Sequence, residues 1–198
     1  MEKSISNLCN YLIRQHIISA DEKELYEYCF IVFISSALFY VGISIIMFHY
    51  NCFLLPCIFT ITFLLLRSYM GGWHANNMWV CLLISLLLFT VIVNLLINPD
   101  ISSQEKFIFS SFSVILNALS ILLFGMQDHP NRKLTQAEKR LAENRCYKLL
   151  IIIAVLMIVL AICKSFDIMF SIALACFAAT ILLLLTKIQT KGWKQHET

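Results

Sequence analysis

Cys81 and His74 are the residues of this sequence whose types and spacing are suited to nucleophilic catalysis. They lie in the stretch RSYMGGWHANNMWVC, residues 67–81, at the seam between two apolar segments. Seven residues of continuous helix rise about 10.5 Å, which is beyond the reach of a side-chain hydrogen bond. The two side chains therefore meet only if residues 74–77 form a loop that folds back. In that geometry His74 takes the thiol proton and leaves a thiolate–imidazolium pair.

The residues around this pair have types that permit such a loop. Gly71 and Gly72 adopt backbone angles that other residues resist, which favours a sharp turn or a close approach to a substrate. Asn76 or Asn77 is suited to cap the N-terminus of the next helix. Cys81 then falls in the first turn or so of that helix, where the positive end of the helix dipole stabilises a thiolate.

Two other interpretations compete with catalysis. A Cys and a His seven residues apart near a membrane surface are more often unrelated to each other. A zinc site needs three protein ligands if it is catalytic and four if it is structural, and the sequence has no second Cys/His pair with ligand spacing beside this seam. We expect neither a metal nor a cofactor here.

The composition is typical of a polytopic α-helical membrane protein. The chain has 198 residues, of which 60% are hydrophobic and only 14% are charged, whereas soluble domains are about half apolar. Its long Leu, Ile and Phe runs lack the alternation of a transmembrane β-barrel. The N-terminal stretch lacks the small-residue cleavage site of a signal peptide. The expected fold is therefore all-α in a single domain, with no nucleic-acid partner.

Six apolar runs predict about six transmembrane helices, because a span needs about 20 apolar residues. The second and fifth runs are short, and the second either gains a turn from flanking residues or dips in without crossing. Tight turns at 49–51 and 164–167 predict two antiparallel hairpins. We expect an N-terminal region (1–28), a six-span bundle (29–186) and a tail (187–198). The runs are Cys29–Phe48, Cys52–Leu66, Trp79–Ile97, Phe107–Gly125, Leu149–Cys163 and Ile168–Thr186.

The N-terminal region contains a predicted amphipathic helix, with polar residues on the rest of the helical wheel. This pattern is typical of a helix that lies on a membrane surface, and equally of a helix that packs against the rest of the protein. The residues with helical spacing are Ile5, Leu8, Cys9, Leu12, His16 and Ile17.

Lysine and arginine are distributed unevenly about the six runs. With six spans, thirteen of the 15 Lys and Arg residues fall on one side of the membrane, and only Lys106 and Lys164 fall on the other. The positive-inside rule then places both termini, residues 67–78 and the basic loop 126–148 in the cytoplasm.

The eight cysteines do not form the disulfide framework that is typical of small secreted chains. Four of them lie within apolar runs, where a thiol behaves as a small hydrophobic side chain. These four are Cys29, Cys57, Cys163 and Cys176.

The seam around Cys81 resembles the signature of the accessory gene regulator protein B (AgrB) family. The chain length, the six apolar runs, the amphipathic start and the short basic tail also resemble that family, as does the segment 128–139. The similar residues of the seam are Arg67, Gly71, Gly72, His74 and Cys81.

The resemblance implies a membrane cysteine endopeptidase of Gram-positive quorum sensing. Such proteins cut the C-terminal tail from an AgrD-type propeptide, hold the remainder as an acyl-enzyme thioester, and help form a cyclic thiolactone or lactone. It implies that Cys81 is the nucleophile and His74 the general base and acid. It also suggests a homodimer in the bacterial cell membrane. The residues expected to support the site are Arg67, Gly71 and Gly72, with Asn76 and Asn77 as candidates by spacing alone.

Several alternatives remain open. Basic residues of the long loop either bind the acidic propeptide tail or enforce topology and bind anionic membrane lipid. Arg67 either supports the site or only snorkels at the end of the second span. The rival to an enzyme is a non-enzymatic six-span peptide exporter or membrane assembly factor. Export predicts ionisable residues within spans, and their scarcity here favours the enzyme. The loop residues are Arg132, Lys133, Lys139 and Arg140.

Overall fold

The structure, a computed structural model, describes residues 2–15, 17–70, 78–124 and 136–196, and these residues are almost entirely helical. They form seven α-helices and one turn of 3-10 helix, with no strand in these ranges. The all-α prediction is therefore confirmed. In chain order the helices are α1 (Glu2–Arg14), α2 (Lys23–His49), α3 (Leu54–Met70), α4 (Met78–Ile97), α5 (Ser103–Phe124), α6 (Gln136–Ile162) and α7 (Phe166–His196), and the 3-10 turn is Ala20–Glu22.

Five helical segments among the described residues are long and apolar enough to cross a membrane. The apolar part of α3 is shorter, Leu54–Ser68, and measures about 22 Å at 1.5 Å per residue, against a hydrocarbon core of about 30 Å. The chain is thus a multi-pass membrane protein with roughly six spans, as predicted, and the two alternatives for the second run stay open. The five long segments are Ala20–His49, Trp79–Ile97, Ser103–Leu123, Glu143–Ile162 and Phe166–Lys187.

Part of the long basic segment is helical, and its prediction as a loop over 126–148 is wrong from Gln136 onward. α6 begins at Gln136, well before the fifth apolar run at Leu149. Its first turns are rich in Ala, Glu, Lys and Arg, which are good helix formers, and neither Gly nor Pro interrupts the helix. The apolar run marks only the part of α6 that is suited to hydrocarbon, so hydropathy placed the start of the helix too late.

The chain divides into two compact units. The first comprises Met1–His49 and Ala75–Thr90, and the second comprises Tyr50–His74 and Val91–Thr198. Cys81 belongs to the first unit.

Within the first unit, α1 packs against α2 through one side and leaves other apolar residues exposed. Leu8 and Tyr11, next to the packed side, are 44% and 57% exposed. The packing alternative is therefore confirmed for one side of α1, and contact of the other side with a membrane surface stays a prediction. The buried residues of this contact are Ile5 and Cys9 of α1 and Ile18, which follows α1, and the residues packed against them are Leu12, Ile13, Phe30, Ile31 and Ile34.

Within the second unit, α7 is the central helix, and α5 and α3 pack along it. All residues from 169 to 176 are buried. The ring of Phe109 on α5 lies edge-on to two α7 rings, with centroids 5.4 Å from Phe170 and 5.6 Å from Phe177. A helix that is apolar all round is expected to be buried on most sides, which explains the central position of α7.

The two predicted tight turns are confirmed. Asn51, between α2 and α3, has φ 52°, and Lys164, between α6 and α7, has φ 56°. Asn adopts this left-handed conformation more readily than most residues. At the end of α6, the Ser165 N–H donates to the Leu160 carbonyl and the Lys164 N–H to the Ala161 carbonyl. This is the Schellman pattern of helix termination, and it reverses the chain so that α6 and α7 form a hairpin.

Candidate active site

Cys81 is the fourth residue of α4 as the structure describes that helix, and it opens the membrane span Trp79–Ile97. The thiol therefore lies at the start of the described part of this helix, and its position in the first turn stays a prediction, because residues 71–77 lie outside the described residues. The neighbouring Trp79 and Val80 are 52% and 45% exposed, whereas Cys81 is half-buried.

The exposure pattern of α4 shows which way Cys81 faces. Exposed residues alternate with a stripe of half-buried and buried residues at helical spacing. Cys81 is the first member of the stripe, which continues through Leu82, Ser85, Leu86 and Phe89. The thiol thus lies on the side of α4 that faces protein, rather than on the side that carries the exposed apolar residues.

Gly42 on α2 identifies one neighbour of that stripe. A Cβ atom added at Gly42 would lie 2.6 Å from Leu86 Cδ2, so the Leu86 side chain packs directly against the backbone of α2 at Gly42. This contact lies on α4 five residues after Cys81, within the same compact unit. At Leu86, the stripe that carries the thiol therefore faces α2.

The other cysteines differ from Cys81 in exposure or in place. All eight cysteines are described and none of them forms a disulfide bond, so the expectation that they form no disulfide framework agrees with the structure. Cys9, Cys146 and Cys176 are buried, and Cys29, Cys57 and Cys163 are exposed. Cys52 is half-buried like Cys81, but it lies in the turn between α2 and α3.

Arg67 lies in the last turn of α3 and is half-buried. It follows Leu66, which is fully buried in the core of the second unit, so the backbone that carries the guanidinium is anchored by packing. Both interpretations of Arg67 are compatible with this position at the end of a membrane helix.

Several predicted site residues lie outside the described residues. The pairing of His74 with Cys81 therefore stays a prediction, as does the loop that would bring them together. Lys139 and Arg140 are the fourth and fifth residues of α6. The residues outside the described ranges are Gly71, Gly72, His74, Asn76, Asn77, Arg132 and Lys133.

Sequence reasoning missed how polar residues are arranged inside the second unit. Ser110, Ser113, Asn117 and Ser120 on α5 are all buried. The spacing of three, four and three residues places them on one face of the helix. That spacing is visible in the sequence, but the partners on α7 are not, because they lie about 60 residues away along the chain.

These features define a class of protein: a multi-pass helical membrane protein with a half-buried thiol at the start of a span. The model of one protein family, AgrB (Accessory gene regulator B), matches residues 5–185. The chain therefore belongs to the accessory gene regulator B family, and the resemblance seen in the sequence is confirmed. No curated protein and no solved structure matches the chain. Family membership supports a role in the quorum-sensing processing of an AgrD-type propeptide.

Proposed function

We propose that this protein is a membrane cysteine endopeptidase that removes the C-terminal tail of an AgrD-type propeptide and promotes cyclisation of the remainder. The observation that supports this most strongly is the position of Cys81. It is a free, half-buried thiol at the start of a membrane span, on the stripe of α4 that faces protein. Family membership supports the class of substrate.

The first step forms a thioester on Cys81. His74 accepts the thiol proton, and Sγ attacks the carbonyl carbon of the scissile amide. The C–N bond breaks, and the imidazolium of His74 returns the proton to the leaving amine. The tail departs with a free amino terminus, and the N-terminal part of the propeptide stays on Cys81 as an acyl group.

The second step closes the ring. A thiol or hydroxyl within the propeptide attacks the thioester carbonyl, the bond to Cys81 Sγ breaks, and Cys81 regains a proton. Exchange of a thioester for a thiolactone is nearly even in free energy, whereas attack by water is strongly downhill. Cyclisation therefore requires that water be kept away and that the internal nucleophile be held close. A half-buried thiol at a membrane boundary suits both requirements.

Other residues of the seam support this chemistry. Arg67 steadies the site from the end of α3, and Gly71 and Gly72 let the backbone turn and approach the substrate. Asn76 or Asn77 is the candidate to cap α4, and the same two residues are the candidates to orient His74.

The basic start of α6 binds the acidic tail of the propeptide. Lys139 and Arg140 lie in the first turns of this helix, and Arg132 and Lys133 precede it in the sequence. Opposite charges at this position draw the tail toward the membrane boundary. The alternative role, topology and anionic lipid binding, uses the same charges.

The chain has both termini and Cys81 on the cytoplasmic side of the bacterial cell membrane, as the distribution of Lys and Arg favours, and it acts as a homodimer. The propeptide reaches the site from the cytoplasmic interface, where an amphipathic substrate lies.

Substitution of the two catalytic residues tests the proposal. Cys81→Ser should abolish propeptide cleavage, because a hydroxyl ionises far less readily than a thiol, and His74→Ala should lower the rate by about 10²-fold or more. Cys52→Ser is the matched control, since Cys52 is the other half-buried cysteine, and it should cleave normally. Cleavage is followed with a tagged propeptide at equal membrane expression. Normal processing by Cys81→Ala would refute the protease and favour the exporter or assembly factor.

A further inference from the structure

We propose that α5 and α7 enclose a binding site for a short file of internal water molecules, formed by Ser110, Ser113 and Asn117. This site lies in the second unit and is independent of the chemistry proposed for Cys81. The three side chains are each 0% exposed within the membrane span Ser103–Leu123. They follow one another at spacings of three and four residues, so they lie on one face of α5.

Each of these side chains has a polar atom that pairs with nothing among the described residues. The unpaired atoms are the hydroxyl oxygens of Ser110 and Ser113 and Oδ1 of Asn117. A buried polar group without a hydrogen bond costs about 1–3 kcal/mol, and such groups in native proteins are nearly always paired with protein or with ordered water. Three on one helix face therefore indicate a ligand that supplies the missing bonds.

Other buried or nearby hydroxyls in the same two helices do not share this property. Ser120 donates to the Asn117 carbonyl at 2.8 Å, and Thr180 donates to the Cys176 carbonyl at 2.9 Å. Ser111, which faces away from the site, donates to the Phe107 carbonyl at 3.0 Å. Back-bonding to the preceding turn is thus the ordinary solution here, and Ser110 and Ser113 depart from it.

The orientation of Asn117 is fixed by α7. Its Nδ2 donates to the Cys176 carbonyl at 3.0 Å and to Thr180 Oγ1 at 2.9 Å. Exchange of the amide nitrogen and oxygen would bring Oδ1 against the Cys176 carbonyl oxygen, and two acceptors repel each other. Because both amide hydrogens are used in this way, Oδ1 points away from these partners and accepts from another donor.

The register of the two helices shows which residue lies opposite Ser110. Lys106 pairs with Asp167 and Asn117 with Cys176, so α5 and α7 run in parallel with an offset of about 60 residues. Ser171 of α7 is then level with Ser110. Ser171 is 0% exposed, and its hydroxyl donates to the Leu55 carbonyl at 2.6 Å. Its oxygen retains a lone pair that can accept from water.

Water fits this set of groups better than a metal ion does. Asn117 Oδ1 requires a donor, whereas the serine hydroxyls require acceptors for their protons, and water supplies both. A cation would satisfy the oxygens alone. It would also be buried without a carboxylate on this face of α5, at a large cost in desolvation. Ser110 and Asn117 are seven residues apart, about 10.5 Å along the helix axis, so a file of water molecules, rather than a single one, is needed to serve all three groups.

Serine-to-alanine substitutions distinguish a site that holds water from one that does not, because they should change the melting temperature in opposite directions. In the full-length protein in lipid nanodiscs, Ser110→Ala and Ser113→Ala should each lower the melting temperature by about 2–4 °C, because each leaves the water file short of a partner. The double variant should lose less than the sum of the two, because both residues contact one file. Ser111→Ala is the matched control and should melt like the wild type.

Three results would overturn the site. Melting temperatures that stay the same or rise in Ser110→Ala and Ser113→Ala mean that the hydroxyls are dry, since removal of an unpaired buried group is neutral or stabilising. Additive losses mean that the two serines do not share a ligand. A wild-type melting temperature that rises with sodium or potassium over choline, and fails to rise in the double variant, means that the ligand is a metal ion.

Discussion

Lys106 and Asp167 join the first turns of α5 and α7, with Lys106 Nζ 2.7 Å from Asp167 Oδ1. The two partners differ in environment, because the Lys106 side chain is 13% exposed and that of Asp167 is 63% exposed. This ion pair and the hydrogen bond from Asn117 to the Cys176 carbonyl both fit a parallel register of the two helices.

Because the two partners are unequally buried, removing one or the other should lower the free energy of unfolding by different amounts. Asp167→Asn leaves a largely buried ammonium without its counter-charge and should cost about 1–3 kcal/mol. Lys106→Met keeps the packing of the side chain and leaves a carboxylate that water solvates, so it should cost less than about 1 kcal/mol. Thermal unfolding of the two variants measures the difference. A larger loss in Lys106→Met than in Asp167→Asn would show that the pair does not depend on burial of the lysine.

Cys9, in the contact of α1 with α2, should react slowly with alkylating reagents. Burial and then the Glu27 carboxylate raise the pKa of Cys9 above the ordinary value of 9.0, and Lys23 opposes them. The neutral thiol is thus favoured in the folded state. The stabilisation that the neutral Cys9 thiol gives to the contact of α1 with α2 is therefore fully present below pH 9.0. It is lost as the pH rises through the pKa of Cys9 in the folded protein.

Alkylation with iodoacetamide tests this, because only the thiolate reacts. A variant that keeps Cys9 alone should react slowly at neutral pH, with a half-maximal rate above pH 9.0, and should react faster once unfolded in detergent. A variant that keeps the exposed Cys163 alone serves as control. Equal rates for Cys9 and Cys163 at neutral pH would contradict the burial of Cys9.

Apolar runs in the sequence predicted the helices well where the flanking residues are turn formers. The turns at Asn51 and Lys164 were located because short polar segments interrupt long runs. The start of α6 at Gln136 was missed because hydropathy reports contact with hydrocarbon, whereas a helix continues through charged residues that favour it. The partners of Asn117 were beyond prediction, because they depend on the register of helices that are far apart in the chain. His74 remains linked to Cys81 by sequence and family alone.

The distribution of charge predicts which turns face the cell exterior. A variant that keeps Cys163 alone, in the α6–α7 turn, should react with a membrane-impermeant maleimide on intact cells. A reporter made by Lys139→Cys in a cysteine-free chain should react only after permeabilisation, because the proposed topology places the start of α6 in the cytoplasm. Labelling of the Lys139→Cys reporter from outside would overturn the six-span arrangement.

Capture of the acyl-enzyme tests the central claim most directly. The wild-type protein is incubated with a propeptide whose internal nucleophile, Cys or Ser, is replaced by alanine, so that cleavage proceeds and ring closure cannot follow. Mass spectrometry should then find the N-terminal part of the propeptide attached to Cys81, released by neutral hydroxylamine as a thioester is, and missing from Cys81→Ala. Cleavage of the propeptide by Cys81→Ala, or an adduct that hydroxylamine does not release, would contradict the proposed mechanism.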